Sequence, residues 1–331
     1  MSRNSDATSV VIPCFNGARV LPATIETLLN QDLLPDEIIV VDDGSDDDTV
    51  DVATQFGTRV RVLTQKNQGA ASARHTGAVN AKNDIVFFVD AGDTSPPGKI
   101  RALRDALIAN PDCICAYGEC WNKDKEKPQE TRFTHSPLDG SWTTISDPFE
   151  VLLAQSWPLA SAMNLAVRRD YAIKGTAIGS FYRAGNDYAM QLNLARFGAF
   201  VHVASITSEF KIFGEGLTSQ HGIDQQMSYS LLAAVEFYLA HSNRDHYRKV
   251  FRKRISYYWP TIVYFMWNNS NVRLRNQVIK AGLRYGSVYD SMKSFIWTLV
   301  KEHKRGREIR NPVLGYLARQ VYQLSQARDL K

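Results

Sequence analysis

The feature that most constrains this chain is the regular alternation, over its first 120 residues, of short β-branched runs with amphipathic segments. Runs at Ser9–Ile12, Glu37–Val41, Arg59–Leu63, Asp84–Val89 and Cys113–Tyr117 have the length and side chains of strands. Between them, Val20–Gln31, Asp47–Phe56, Gly69–Asn80 and Gly98–Asn110 read as helices. Successive β-α units of this kind stack on a parallel sheet with helices on its faces. Boundary chemistry agrees, since Ser45 and Asp48 have capping-box spacing and Pro96-Pro97 precedes the helix opening at Gly98. The sequence predicts an α/β fold with a largely parallel sheet.

Beyond this half the pattern changes twice. Gly118 to Gly140 is polar and without period, which predicts a loop or hairpin. Apolar order returns at Met163–Val167, in a helix over Asn186–Phe197 and in a short strand over Phe200–Val203. Residues 224–331 are helical in pattern, with Leu314, Leu317, Val321 and Leu324 at helical spacing. A boundary near Gly222 therefore separates residues 1–222 from a helical region, 223–331. Charge divides the chain similarly. Residues 241–331 hold 19 Lys/Arg against 5 Asp/Glu, while the rest holds 20 against 29.

That basic region contains Arg244, Arg248, Lys249, Arg252, Lys253 and Arg254, followed by Tyr257, Tyr258, Trp259, Tyr264 and Trp267. Such a helix suits a membrane interface and a lipid-linked acceptor, or else packs on the rest of the protein through its aromatics. No nucleic-acid motif accompanies the charge, so no nucleic-acid partner is expected. The most apolar stretch, Tyr257–Trp267, is too short to span a bilayer and contains Pro260, and the N-terminus lacks a signal-peptide core. The expected location is cytoplasmic, with peripheral contact at the inner face of the membrane through residues 244–267. Four cysteines are too few for a disulfide framework, and Cys113, Cys115 and Cys120 lack zinc-ligand spacing.

In an open parallel sheet, ligands lie beyond the carboxyl ends of the strands. Here those ends read Pro13-Cys14-Phe15-Asn16-Gly17, Asp42-Asp43-Gly44-Ser45, Lys66-Asn67-Gln68-Gly69 and Asp90-Ala91-Gly92-Asp93. Carboxylates at two strand ends can hold hydroxyls, base nitrogens or a hard cation, and glycines allow close backbone approach. Each segment alone is also ordinary turn and cap chemistry. Four together point to a nucleotide diphosphate site. No GxGxxG follows the first strand and no P-loop, GxSxG or HExxH occurs.

The segments "SVVIPCFNGARVLPATIETLLNQ", "DEIIVVDDGSDDDTVDVA", "QKNQGAASARHTGAV" and "DIVFFVDAGDTSPPGKI" resemble, in order and spacing, the family 2 glycosyltransferases over about residues 8–220. The resemblance implies a GT-A fold and inverting transfer of a sugar from a nucleotide-diphosphate donor to an acceptor hydroxyl, usually with Mg²⁺ or Mn²⁺. It places Pro13, Phe15, Asn16, Asp42 and Asp43 against the nucleotide. Asn67, Gly69 and Arg74 match the stretch that closes over ribose and diphosphate, and Asp90 matches the first carboxylate of the DxD motif. Gly92 stands where the second acidic residue is usual, which leaves Asp90, Asp93, water or the diphosphate to hold a cation. His75 replaces a common Asn.

An inverting transfer also needs a base for the acceptor hydroxyl. Asp187, in "YRAGNDYAMQLNLARFG", matches the family's ED-containing segment, with Asn186 in place of its Glu. Read alone, Asp187 is a helix N-terminal residue favoured by the macrodipole. The resemblance also marks "FKIFGEGLTSQHG" as a loop over the diphosphate, with Lys211 or His221 supplying charge or a metal ligand, and the segment reads equally as a solvated surface loop. Trp121 and Trp157 read as a sugar platform or as packing. The expected function is an inverting glycosyltransferase in cell-surface polysaccharide or glycolipid synthesis. The alternative is a nucleotide-sugar-binding module that has lost turnover through Gly92. A sugar nucleotidyltransferase is disfavoured, because no GxGTRxxPxT-like segment follows the first strand.

Overall fold

Strand β1 (Thr8–Cys14) is buried along its whole length, and β2 (Glu37–Asp42) almost so. That is why both read as continuous apolar runs: a parallel strand covered by helices on both faces has no polar side. The computed structural model describes residues 6–122, 139–154, 164–178, 182, 184–210, 223–266 and 272–286. The chain divides into two units, Met1–His221 and Gly222–Lys331.

In the first unit α1 (Leu21–Leu29) follows β1, and α2 (Thr49–Thr54) follows β2. Then come β3 (Val60–Thr64), α3 (Ala70–Asn80), β4 (Ile85–Phe88) and α4 (Lys99–Ala109). The later elements are β5 (Cys113–Asn122), β6 (Trp142–Ile145), α5 (Pro148–Ala154), β7 (Leu165–Arg168), α6 (Arg169–Thr176), α7 (Asn186–Leu194) and β8 (Ala199–Phe210). One eight-stranded sheet results, in the order β3-β2-β1-β4-β7-β5-β8-β6. The β3-β2-β1-β4 block is parallel, as expected. The other half is mixed: β7 runs antiparallel between β4 and β5, β5 and β8 are parallel, and β6 is antiparallel to β8.

Three local expectations need correction. The strand expected over Phe200–Val203 continues to Phe210, because its partner β5 itself runs on to Asn122 and stays paired with it across register shifts on either side of Glu119. The segment expected to be loop or hairpin after Gly118 therefore begins as strand. Ser45 does not cap α2: its Oγ accepts from the Asn16 N–H at 2.8 Å, and the Thr49 N–H goes to Asp47 Oδ1 at 3.1 Å.

Helix α3 approaches β1 closely through small residues. A Cβ on Gly77 would lie 2.2 Å from Val11 Cγ1 and 2.9 Å from its Cγ2. Gly77→Ala gains about 1 kcal/mol of helix propensity but overpacks a buried strand contact at a cost of about 1–3 kcal/mol. The expected net result is a lower midpoint in urea denaturation; a higher one would contradict this packing.

The second unit contains α8 (Ile223–Ala240), α9 (Arg248–Met266) and α10 (Val272–Tyr285). Tyr238 stacks on Phe251 at 3.8 Å between ring centroids, and Tyr285 meets Phe251 edge-on. Gly282 lies so close to the Trp259 ring that a Cβ there would fall 2.2 Å from it. Trp259 thus packs inside this unit. Arg254 is buried with its guanidinium over Tyr258, at 5.5 Å from the ring centroid, so it leaves the basic face on which the sequence placed it.

Candidate donor and base site

The ends of β1 and β2 lie side by side, with Cys14 paired to Asp42. Their loops are zipped together by four hydrogen bonds. Asn16 N–H donates to Ser45 Oγ at 2.8 Å and Asp46 N–H to Asn16 Oδ1 at 2.8 Å. Gly17 N–H donates to Thr49 Oγ1 at 2.9 Å and Ala18 N–H to Asp47 Oδ2 at 3.1 Å. Asn16 adopts a left-handed backbone, φ 50°, which Asn tolerates better than most side chains. Its side chain and backbone thus both position the loop, and the neighbouring Phe15 ring is presented outward, 49% exposed.

Asp42 and Asp43 are both buried. Asp42 receives the Ser45 N–H at 3.3 Å. Asp43 fastens the next loop: Oδ1 accepts from Gln65 Nε2 at 2.7 Å and from Gln68 N–H at 3.0 Å, and Oδ2 from Gly69 N–H at 2.7 Å. Gly44, at φ +78°, lets this loop pass, since a Cβ there would lie 3.0 Å from Asn67 N. Asn67 is exposed at the tip, and Gly69, at φ +90°, opens α3. Sequence reasoning found Asp43 but not that it binds the loop rather than presenting a free carboxylate.

One turn into α3, Arg74 is 4% exposed and bridges two distant segments. Its Nη2 donates to Asp90 Oδ1 at 2.6 Å and its Nη1 to Asn186 Oδ1 at 2.9 Å. Asp187 follows Asn186 at the start of α7, with Oδ1 accepting its neighbour's Tyr188 N–H at 2.8 Å. Burial pushes the Asp187 carboxyl above its ordinary range; the Tyr188 N–H and the Arg74 charge oppose this, while Asp90 adds to it. Helix α7 is fixed from behind. Tyr188 OH donates to the Leu152 carbonyl at 2.8 Å, and Asn193 Nδ2 donates to those of Lys174 and Gly175. His75, for which the sequence offers no account, ties α3 to α6 through Thr176 Oγ1 at 3.1 Å.

After β4, Asp90, Gly92 and Asp93 form a tight turn in which the Asp93 N–H donates to the Asp90 carbonyl at 3.1 Å. Gly92 has φ +98° and donates its N–H to Thr24 Oγ1 at 2.9 Å. A side chain is disfavoured at that backbone angle, which accounts for the missing carboxylate. Lys99, 1% exposed, lies within electrostatic reach of Cys120, Asp93 and Asp90. Burial drives the Asp93 carboxyl up and the Lys99 amine down, as expected of a desolvated pair. Sequence reasoning missed Lys99. Its signal was a cation in the first turn of α4, where the helix dipole disfavours one and a nearby acid is needed to hold it.

Asp187, Asp90, Arg74 and Asp93 are therefore brought to one region, with Phe15, Asn16, Asp42, Asp43, Asn67 and Gly69 on the adjoining strand-end loops. Lys211, His221 and Trp157 lie outside the described residues, as does the Trp121 side chain.

Residues 9–172 match the domain described as "Glycosyl transferase family 2". The chain belongs to the family 2 glycosyltransferases. Among curated relatives of this family 2 member, a chondroitin synthase of Escherichia coli is 26% identical over 225 residues, covering 66% of this chain and 30% of that protein. Glycosyltransferase GlyG of Streptococcus pneumoniae is 34% identical over 125 residues, covering 37% and 41%. The chain thus spans well under half the length of these relatives. The fold is GT-A, shared with S. aureus TarS 1-349 in complex with UDP-GlcNAc: TM-score 0.60, 16% identity, 92% of this chain and 93% of that one.

GT-A members of family 2 commonly use a divalent cation. The residues after β4 fit one poorly as they stand. Position 92 offers no carboxylate, Asp90 is already bound to Arg74, and Asp93 shares its surroundings with a buried lysine.

Proposed function

We propose that this chain is an inverting glycosyltransferase that moves a sugar from a nucleotide-diphosphate donor to an acceptor hydroxyl, in cell-surface polysaccharide or glycolipid synthesis. The observation that carries the reading is the Asp90–Arg74–Asn186 bridge, which brings Asp187 to the carboxyl-end face of the sheet. Asp187 has the properties of a general base: partly accessible, set among protein groups, and with its carboxyl pKa raised by burial above the ordinary value. In this scheme Asp187 Oδ takes the acceptor hydroxyl proton as the new bond forms. The Arg74 guanidinium faces the charge that develops on the departing diphosphate. Phe15, Asp42 and Asn67 meet the nucleotide, and Asn16 and Asp43 keep the loops that carry them in place.

Family membership and the relatives named as synthases and transferases favour turnover over a binding module without it. The TarS complexes with UDP-GlcNAc and UDP make uridine diphosphate sugars the first donors to try. The test is release of nucleoside diphosphate from a panel of such sugars, with monosaccharide, oligosaccharide and lipid-linked acceptors. Acceptor-dependent release supports the reading. Donor that is bound but never consumed would leave the binding-module alternative.

The acceptor side points to an anionic membrane surface. From His246 to Tyr289 the sequence has no Asp or Glu, against nine Lys and Arg. Lys249, Arg252 and Lys253 are exposed on α9 beside Tyr257, and Lys280 and Arg284 flank Leu283, 73% exposed, on α10. Cations around an outward apolar side chain suit a lipid headgroup layer. Among the described residues no helix is long and apolar enough to cross a membrane, so the contact proposed is peripheral, at the inner face. The protein is expected to sediment with phosphatidylglycerol-containing vesicles, and not with phosphatidylcholine alone, and to lose binding as salt rises. Lys249→Glu with Arg252→Glu should abolish sedimentation while donor consumption with a soluble acceptor stays unchanged.

A further inference from the structure

We infer that this site holds the donor diphosphate without a divalent cation, with the Arg74 guanidinium as the positive charge that takes the cation's place. The inference rests on the donor-site reading above. A divalent cation bound in water needs anionic oxygens that are accessible and not already neutralised. The turn after β4 provides few.

Gly92 contributes none, and its left-handed backbone shows that the turn is built around that absence. Asp93 does not stand alone. Its neighbour Lys99 is sealed in protein, 1% exposed, and sets a built-in amine within electrostatic reach of that carboxyl. That leaves Asp90, whose side chain is 31% exposed and whose Oδ1 is occupied by Arg74 at 2.6 Å. A cation at Asp90 would be set against the guanidinium at close range, where like charges repel strongly. The other carboxylate of the cluster is Asp187, and a cation on it would quench the base.

Arg74 is prepared for the alternative. One arm rests on a carboxylate and the other on the neutral amide of Asn186, so a single negative charge faces it directly. Its buried Nε has no hydrogen-bond acceptor among the described residues. A guanidinium held rigidly with charge and donors to spare is suited to phosphate oxygens. Two of this chain's departures from its family's motifs act in the same sense. Gly92 for an acid weakens cation binding, and Asn186 for Glu leaves Arg74 less neutralised.

The experiment is calorimetric titration of the full chain with uridine, guanosine and thymidine diphosphates, first in EDTA and then in Mn²⁺. The nucleotide that binds is expected to do so with dissociation constants within about threefold in the two buffers. Tightening by about tenfold or more in Mn²⁺ overturns the inference and leaves the donor-site reading intact. Binding of none of the three in either buffer removes both. Asn186→Glu, which replaces the neutral amide on the second arm of Arg74 with a carboxylate, should weaken binding in EDTA by about tenfold. Unchanged affinity in that folded variant would remove Arg74 from the role.

Discussion

Asp187→Asn is expected to lower kcat by about 10²- to 10⁴-fold, the usual contribution of a general base, with little change in donor affinity by calorimetry. The two readouts separate because, in the proposed scheme, the Asp187 carboxylate acts on the acceptor proton, whereas the loops assigned to the nucleotide are held by Asn16 and Asp43. The pH profile gives a second signature. Burial raises the Asp187 pKa, and a base works only when unprotonated, so activity should fall, as pH drops, at a higher pH than for an ordinary aspartate. In Asp187→Asn that acid limb should vanish from the residual activity. Full activity in the variant would move the base elsewhere.

Asp43→Ala is the second large effect, and it acts through the loop. It strips the Gln68 and Gly69 N–H groups and the Gln65 amide of their acceptor. Backbone donors left without a partner cost about 1–3 kcal/mol each when buried; with solvent reaching part of this loop, a loss of about 2–4 kcal/mol is expected from denaturant titration. Donor affinity should fall as well, because the start of α3 and its Arg74 are no longer tethered to β2. Asp43→Asn retains an acceptor oxygen and should recover part of both. Equal losses in Asp43→Asn and Asp43→Ala would point to the charge rather than the tether.

How far such roles were legible depended on whether the cause was local. Strands β1, β2 and β4 could be read because central parallel strands are uniformly apolar, and the Asp and Gly residues that follow them stand out against that background. Strand β6 could not: Trp142–Ile145 is a short edge strand with Trp142, Thr143 and Thr144 exposed, and carries no apolar pattern. The antiparallel insertion of β7 was hidden for another reason, since pairing with β4 and β5 is decided by partners far along the chain. In the site, the residue types at the strand ends were evident and their uses were not. Asn16 and Asp43 look like ligand contacts in sequence, and three-dimensional structure shows them holding backbone. Lys99 is inconspicuous until α4 is seen to bury it beside Asp93.

The order in which the sheet is laid down has a consequence during synthesis. The parallel block β3-β2-β1-β4 is complete once α3 and β4 have emerged, its most distant pairing being β1 with β4, which joins Thr8 to Ile85. The hydrogen bond from Arg74 to Asn186 spans 112 residues, and such long closures come late. A nascent chain arrested before α7 therefore has its nucleotide-facing loops but no Asp187. On the roles proposed above, the means to grip a donor would arise on the ribosome before the means to spend it.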